Sequence, residues 1–368
     1  MKSYDYIIIG AGIAGCSVAF ELSKYSNNIL LVDKLSDVAQ GASGAAGAFL
    51  SPLLGKPNDF KDLVTSSLKY STKFYKENFP ESITQCGTTR IPQNDEDRKK
   101  FENYIPHMDF EYKNDELGFF FDIGSVVNSY DICKKLIVTS ATKIQTKFNY
   151  TVDNVIYKDK VWLVNNALKT KNIIFTTGSE LNLINEFYLK IRAVWGCRID
   201  ISTTTSFSHN YHKACSISKS KKIDAKLNLV SIGATHHRTQ DGVEDIDANG
   251  LELLKKANDI KKLNDVTILK HYVGSRACCI DYFPIVGEII NSEKTLEEFP
   301  YLKNGTYVEP ERFTRFQNSY VLSGVGGRGF VLSPYLAKKL VEKIVHNKDV
   351  DSCLCVDRLF KREVKRMK

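Results

Sequence analysis

The stretch "DYIIIGAGIAGCSVAFELSK" spans Asp5 to Lys24, and its reading decides the fold. Tyr6 to Ile9 form a continuous apolar run, the pattern of a strand buried on both faces of a parallel sheet. Gly10, Gly12 and Gly15 then space as G-x-G-x-x-G, with Ile13 and Ala14 inside the turn. The first glycine permits a tight turn, the second a close approach of backbone to a pyrophosphate, and the third close packing of helix on strand. Val18, Leu22 and Tyr25 recur behind them at helical spacing. The run "NILLVDK" reads as a second apolar strand, ending at Asp33 and Lys34. An acid about 20 positions past the glycines accepts hydrogen bonds from ribose hydroxyls. A lone G-x-G-x-x-G is a weak signal. The whole succession of strand, glycines, helix, strand and acid predicts an adenine-dinucleotide site.

Three further segments extend this reading. "GASGAAGAFLSPLLG" (Gly41 to Gly55) is small, uncharged and glycine-rich, suited to pass under phosphates and a flat ring; Ala42, Ser43, Ala46 and Gly47 are its candidate contacts. "NIIFTTGSELN" (Asn172 to Asn182) is another buried strand, ending in Thr177-Gly178. "SGVGGRGFVLSPYLAKKLVEKI" (Ser323 to Ile344) crowds glycines and one arginine ahead of a helix. There Ser333 reads as the N-cap and Pro334 as the first helical residue, with Leu336, Leu340 and Ile344 at helical spacing. Gly326, Gly327, Arg328, Gly329 and Phe330 would offer backbone amides and a positive helix end to a flat or anionic ligand. On these residues alone, FAD and NAD both remain open.

The bulk numbers fit a globular chain. Its 368 residues and 43% hydrophobic content allow about two domains. The apolar runs are strand-length, far short of a membrane span, and the start carries no signal-peptide pattern. The nine cysteines read as reduced and the location as cytoplasmic. Neither Cys278-Cys279 nor Cys353-x-Cys355 has zinc spacing, so no metal is expected. The net charge is +8, concentrated in "SKSKK" (Ser218 to Lys222) and "RLFKREVKRMK" (Arg358 to Lys368). That excess reads either as solvated surface or as contact with an anionic partner such as RNA.

Together "IIIGAGIAG", "QGASGAAGAFLSPLLG", "VGSRACCIDYFPIVGE" and "LSGVGGRGFVLSPYLAKKLV" resemble the D-amino-acid oxidase and glycine oxidase superfamily. Within it they are most similar to the FAD-dependent oxidoreductase half of the bacterial bifunctional tRNA enzymes of MnmC type. "SIGATHH" (Ser231 to His237) is a weaker fifth match, and the likeness spans residues 1 to about 345. It implies an α/β fold: a Rossmann-like FAD-binding domain with a mainly antiparallel-sheet substrate domain, as in glycine oxidase. It implies FAD as cofactor. It also implies removal of the carboxymethyl group from 5-carboxymethylaminomethyl(-2-thio)uridine at the tRNA wobble position. The fused methyltransferase of those proteins has no counterpart here, so a separate methyltransferase is a candidate partner alongside tRNA. Ala45-Ala46 and Gly196-Cys197 depart from the expected pattern and leave a small amino acid (glycine, sarcosine or a D-amino acid) as the alternative substrate.

Amine oxidation by a flavin calls for alignment, a neutral amine and stabilised negative charge rather than a Ser/His/Asp constellation. A substrate carboxylate is best held by a bidentate arginine. The resemblance makes Arg276 the first choice and Arg328 the second; a salt bridge is the bland reading of either. Asp281 and Pro284 would shape the following turn and Tyr272 would line the pocket. His236, His237 and Arg238 would face phosphates or water, and Trp195 would pack. The FAD-binding domain is expected at residues 1–85, 125–190 and 310–350. The substrate domain is expected at 86–124 and 191–309, and a basic tail without periodicity at 351–368. "NDEDRKKFENY" and "NGLELLKKANDIKK" read as exposed helices.

Overall fold

The computed structural model describes residues 1–367. Strand β1 (Lys2–Ile9) runs through the glycine turn into helix α1 (Ile13–Leu22), and β2 (Ile29–Val32) returns beside it. β1 and β2 pair in parallel, Tyr6 to Ile9 against Ile29 to Val32. Ile8 and Leu31 face one apolar core while Ile7, Ile9, Leu30 and Val32 face the other. A strand covered on both sides leaves no solvent face to mark with polar residues, which is why these runs are unbroken in the sequence.

Helix α2 (Asp59–Asn78) is capped by the Asn58 side chain, which accepts from the Lys61 amide at 3.0 Å. β3 (Leu168–Phe175) then lies parallel to β1 along its length. The chain leaves this sheet for a second, nine-stranded and mainly antiparallel one, which includes β4 (Ile191–Thr203), β5 (Asn228–Gly233) and β6 (Thr267–Cys279). β4 pairs with β6 from Ile191 to Ser202, and from Arg198 to Thr203 it also pairs with β5 on its other edge. The helix over Ile246–Asn258 covers a third core, on the second sheet, with Leu253 and Ala257, so only part of it is exposed.

The return path corrects three expectations. First, β7 (Ile285–Ile290) pairs antiparallel with β8 (Arg315–Ser323), and β8 lies parallel to β3. Residues 285–290 thus extend the first sheet, although they fall in the stretch assigned to the second. Second, helix α3 (Gly329–His346) begins at Gly329, and Pro334 lies inside it. Pro334 has no amide to offer the Phe330 carbonyl. α2 supplies the missing donors: the Tyr75 hydroxyl reaches Phe330 O at 3.0 Å and Ser71 Oγ reaches Val331 O at 2.7 Å. Ser333 is therefore no cap but a fully buried helical residue. Third, the basic tail contains α4 (Asp357–Val364), with Leu359, Phe360 and Val364 buried. Arg315 pairs with Asp357 at 2.6 Å and Lys190 with Glu363. Leu359, Phe360 and Val364 do share one helical face, but only three apolar residues mark it among many charges, so the charges dominated the reading.

The Phe360 ring meets Phe313 at 5.1 Å and Tyr188 at 5.5 Å between centroids. Phe360→Ala should destabilise the protein by about 3–5 kcal/mol. Chemical denaturation followed by circular dichroism measures this; a loss below about 0.5 kcal/mol is what a loose surface tail would give.

Candidate active site

β1 and β3 end side by side, and the carboxyl edge of a parallel sheet is where such folds bind ligands. Gly10 has φ +106°, and a Cβ on it would lie 2.5 Å from the Thr176 carbonyl oxygen. A Cβ on Gly15 would lie 1.9 Å from Gly10 O. No larger residue fits either place without moving the backbone. Thr176 Oγ1 donates toward Ile9 O (2.9 Å) and Gly10 O (2.8 Å), closing the crossing. The Asp33 carboxylate accepts from Ala11 N at 2.6 Å and Leu35 N at 2.8 Å, which fixes it beside the turn. Lys34 pairs with Glu180 at 2.6 Å. Ile13 N donates to Ser43 Oγ at 2.9 Å, tying the first turn of α1 to the small-residue segment.

That segment forms one helical turn, Ala42–Ala45, rather than a loop. It packs on β6 at Gly274, where a Cβ would fall 2.8 Å from Ala45 Cβ. Ala45, one of the two alanines that depart from the family pattern, thus meets the strand that carries Arg276. The Gly178 carbonyl accepts from Ser323 Oγ at 2.6 Å, linking the ends of β3 and β8.

These elements enclose a cavity of about 1260 Å³, larger than the roughly 300–1,000 Å³ of ordinary small-ligand pockets. Of the residues singled out as dinucleotide contacts, Gly10, Gly12, Ile13, Ala14, Asp33, Lys34, Ala42, Ser43, Ala46, Gly47, Thr177, Gly178 and Gly326 to Phe330 all line it; Gly15 lies beneath. Arg276 lines the same space. Its Nη1 and Nη2 each donate to Thr235 O at 3.2 Å, and Nη1 also approaches Trp195 O at 3.4 Å. No carboxylate among the described residues pairs with it. Gly196 makes room: a Cβ there would meet Arg276 Nη1 at 2.6 Å. Gly327 lies beneath the arginine stem, 3.7 Å from a Cβ position to Arg276 Cδ.

Arg328 donates to Ser51 O at 3.2 Å. Burial pulls its pKa down to about 10. Arg90, which the sequence reading missed, donates to the adjacent Pro52 O at 2.9 Å. Burial, with Arg328 nearby, brings Arg90 down to about 9. Its Nε is buried without a partner. His212, also missed, lines the cavity with a ring nitrogen 2.7 Å from Ser216 Oγ. Burial and the charges of Arg90 and Arg328 hold its pKa well below the usual histidine value, so it is neutral near pH 7. Nothing in the local sequence marks Arg90 or His212; only the pairing of Thr88–Arg90 with Asn210–His212 brings them together.

Other candidates divide. His236 and Trp195 line the cavity. His237 instead bonds Asn249 Oδ1 at 2.8 Å. Tyr272 does not line it: its ring lies 3.8 Å from the Arg198 guanidinium and 4.8 Å from Lys270 Nζ. Among the described residues no His/Cys/Asp/Glu cluster could hold a metal, and no helix is long and apolar enough to cross a membrane.

The geometry fits FAD. Glycines clear the turn where a pyrophosphate would lie, a fixed carboxylate stands at the ribose position, and the cavity extends past them to two arginines. Comparison with known proteins agrees. The family model described as FAD dependent oxidoreductase (DAO) matches residues 5–343. A relative from Legionella pneumophila named "tRNA 5-methylaminomethyl-2-thiouridine biosynthesis bifunctional protein MnmC" is 25% identical over 373 residues, covering 94% of this chain and 54% of its own length. One from Campylobacter hominis with the same name is 24% identical, covering 94% of this chain and 61% of its own. The chain thus spans little more than half of these relatives. Among solved structures, glycine oxidase from Geobacillus kaustophilus superimposes with a TM-score of 0.72 at 16% identity, covering 97% of this chain and 99% of its own. Iminodiacetate oxidase from Chelativorans sp. BNC1 gives 0.70 at 16%, covering 94% and 96%. These structural likenesses show the glycine-oxidase-like fold, and the family match over most of the chain shows the rest: the chain belongs to the FAD dependent oxidoreductase (DAO) family and uses FAD.

Proposed function

We propose that this FAD-dependent enzyme oxidises the C–H bond beside the nitrogen of an N-carboxymethyl amine, carried on 5-carboxymethylaminomethyl(-2-thio)uridine at the tRNA wobble position. The observation that carries the reading is Arg276: a mostly buried guanidinium, held by carbonyls alone, in the cavity that holds the dinucleotide turn. Carbonyl oxygens orient a cation without neutralising it, so a substrate carboxylate would complete the pair. The names of the two relatives, which align with 94% of this chain, and the net charge of +8 support an RNA substrate. Iminodiacetate, named for one structural neighbour, is also a secondary amine bearing carboxymethyl groups.

When bound, FAD supplies the two-electron acceptor for the C–H bond. The chain supplies the rest. Arg276 grips the carboxylate and so sets the position of the adjacent carbon. Arg90 and Arg328 make the surroundings positive, which disfavours a substrate ammonium and favours the neutral amine that can lose hydride. The positive start of α3 at Gly329, beside the Gly326–Arg328 turn, favours negative charge in the same region. Loss of hydride from the neutral amine leaves an iminium, the protonated imine. Water adds to it, and cleavage gives the aminomethyl base and glyoxylate. Methylation of that amine would fall to a methyltransferase, a further part of the proposal.

Anaerobic mixing of the yellow holoenzyme with tRNA bearing the carboxymethylaminomethyl base should bleach the oxidised flavin band. Glycine, sarcosine and D-amino acids should not. Bleaching by a free amino acid but not by the tRNA would overturn the RNA reading. Arg276→Ala should retain its flavin yet lose roughly 2–5 kcal/mol of kcat/KM, as removal of one partner of a buried charge pair does. Loss of flavin, or unaltered kinetics, would reject the carboxylate role. Gly15→Ala should emerge colourless, because its methyl would collide with Gly10 O. Turnover of tRNA should fall steeply between about 50 and 200 mM salt as phosphate contacts release counterions.

A further inference from the structure

Tyr282 stands at the cavity wall with 71% of its surface exposed. Its φ is +68°, a region a bulky aromatic residue seldom enters. The structure holds it there from both sides. Arg358, on α4, donates from Nε to Asp281 Oδ2 at 2.8 Å and from Nη2 to Asp281 Oδ1 at 3.2 Å. The same Nη2 reaches Phe283 O at 2.8 Å, and Nη1 reaches Cys355 O at 2.8 Å. One guanidinium thus grips the residue before Tyr282 and the residue after it. Phe283 is anchored in turn, edge-on to Phe60 at 5.4 Å. Everything flanking Tyr282 is fixed, while its own ring faces solvent.

An exposed tyrosine alone means little. An exposed tyrosine in a strained backbone, clamped by a distant arginine at the rim of a binding cavity, is different. Strain of this kind persists where the surroundings over-determine it, and it gathers at ligand clamps. Val273, on β6, also lines the cavity and is 36% exposed. A planar, rigid ring at the entrance suits a planar ligand too large to pass inside.

We propose that Tyr282 is the stacking platform for the substrate's nucleobase. The uracil ring rests on the tyrosine face at the rim, and its carboxymethylaminomethyl arm extends inward to Arg276. This rests on the tRNA reading of the site. It adds how a macromolecule presents one small side chain to a buried centre: the base stays at the entrance and only the arm enters.

Three variants test it in the holoenzyme, with flavin content and thermal midpoint checked for each. Tyr282→Gly relieves the strained φ, so folding is not at risk. Tyr282→Leu keeps apolar bulk but loses planarity, and Tyr282→Phe keeps the ring. Glycine and leucine should raise KM for the modified tRNA roughly 5- to 150-fold, the range that loss of one base–aromatic stack produces. In both, kcat should be unchanged, and phenylalanine should match the parent. KM at the parent's value in all three overturns the platform while leaving the RNA reading intact. Leucine behaving like phenylalanine overturns it too, since a simple apolar lid would do the same. A fall in kcat at constant KM would move Tyr282 into the chemistry and likewise refute the proposal. If the parent's flavin is not reduced by the tRNA at all, the substrate reading fails and the platform with it.

Discussion

Gly15 carries no side chain, and the rest of the site depends on that. With Gly10 O directly against it, α1 can start close to the ends of β1 and β3. Thr176 locks the crossing by donating to the carbonyls of Ile9 and Gly10. The turn then presents Ile13 N to Ser43 and Ala11 N to Asp33. Through Ser43 the same contact registers the helical turn Ala42–Ala45, which packs on β6 at Gly274. One close approach of backbone to backbone therefore positions both the dinucleotide cradle and the strand that carries Arg276.

The second organising constraint is charge. Arg276, Arg328 and Arg90 are each oriented by main-chain carbonyls. Several acids at the cavity wall are engaged elsewhere: Asp33 by amides, Glu180 by Lys34 and Asp281 by Arg358. Burying cations without counter-ions is unfavourable, and the depressed pKa values of Arg90 and Arg328 are one expression of it. Such an arrangement is stabilised when an anion arrives. Arginine suits the task because its planar fork stays charged and can serve a carbonyl with one edge and a carboxylate with the other.

Much of this was legible beforehand. The glycine spacing, the paired strands and Asp33 follow from short-range rules that any neighbouring sequence obeys. The dinucleotide contacts predicted from four separate segments converge on one cavity, apart from Gly15 beneath it. The start of α3 was misplaced because Ser333-Pro334 imitates a helix beginning, whereas Tyr75 and Ser71 supply the donors that let Pro334 sit inside. The Ala45-Ala46 and Gly196-Cys197 departures put the choice of substrate in doubt. In the structure Ala45 meets Gly274, and Gly196 leaves room for the Arg276 guanidinium, two close contacts that small residues allow.

What the sequence by itself determined is the local framework: the parallel strands, the glycine turn, the acid behind it and the motifs that carry the family likeness. Periodicity and backbone sterics act over a few residues, so they are written in contiguous letters. Only the tertiary structure decided that Arg276 meets carbonyls instead of an acid. It alone brought Arg90 and His212 beside Arg328, and let Arg358 hold Tyr282 at the rim. These depend on chain segments that are far apart in sequence and are joined by sheet pairing and helix packing. Whether a charge is paired, or an aromatic ring exposed, is a property of what surrounds it, and no window of sequence contains that.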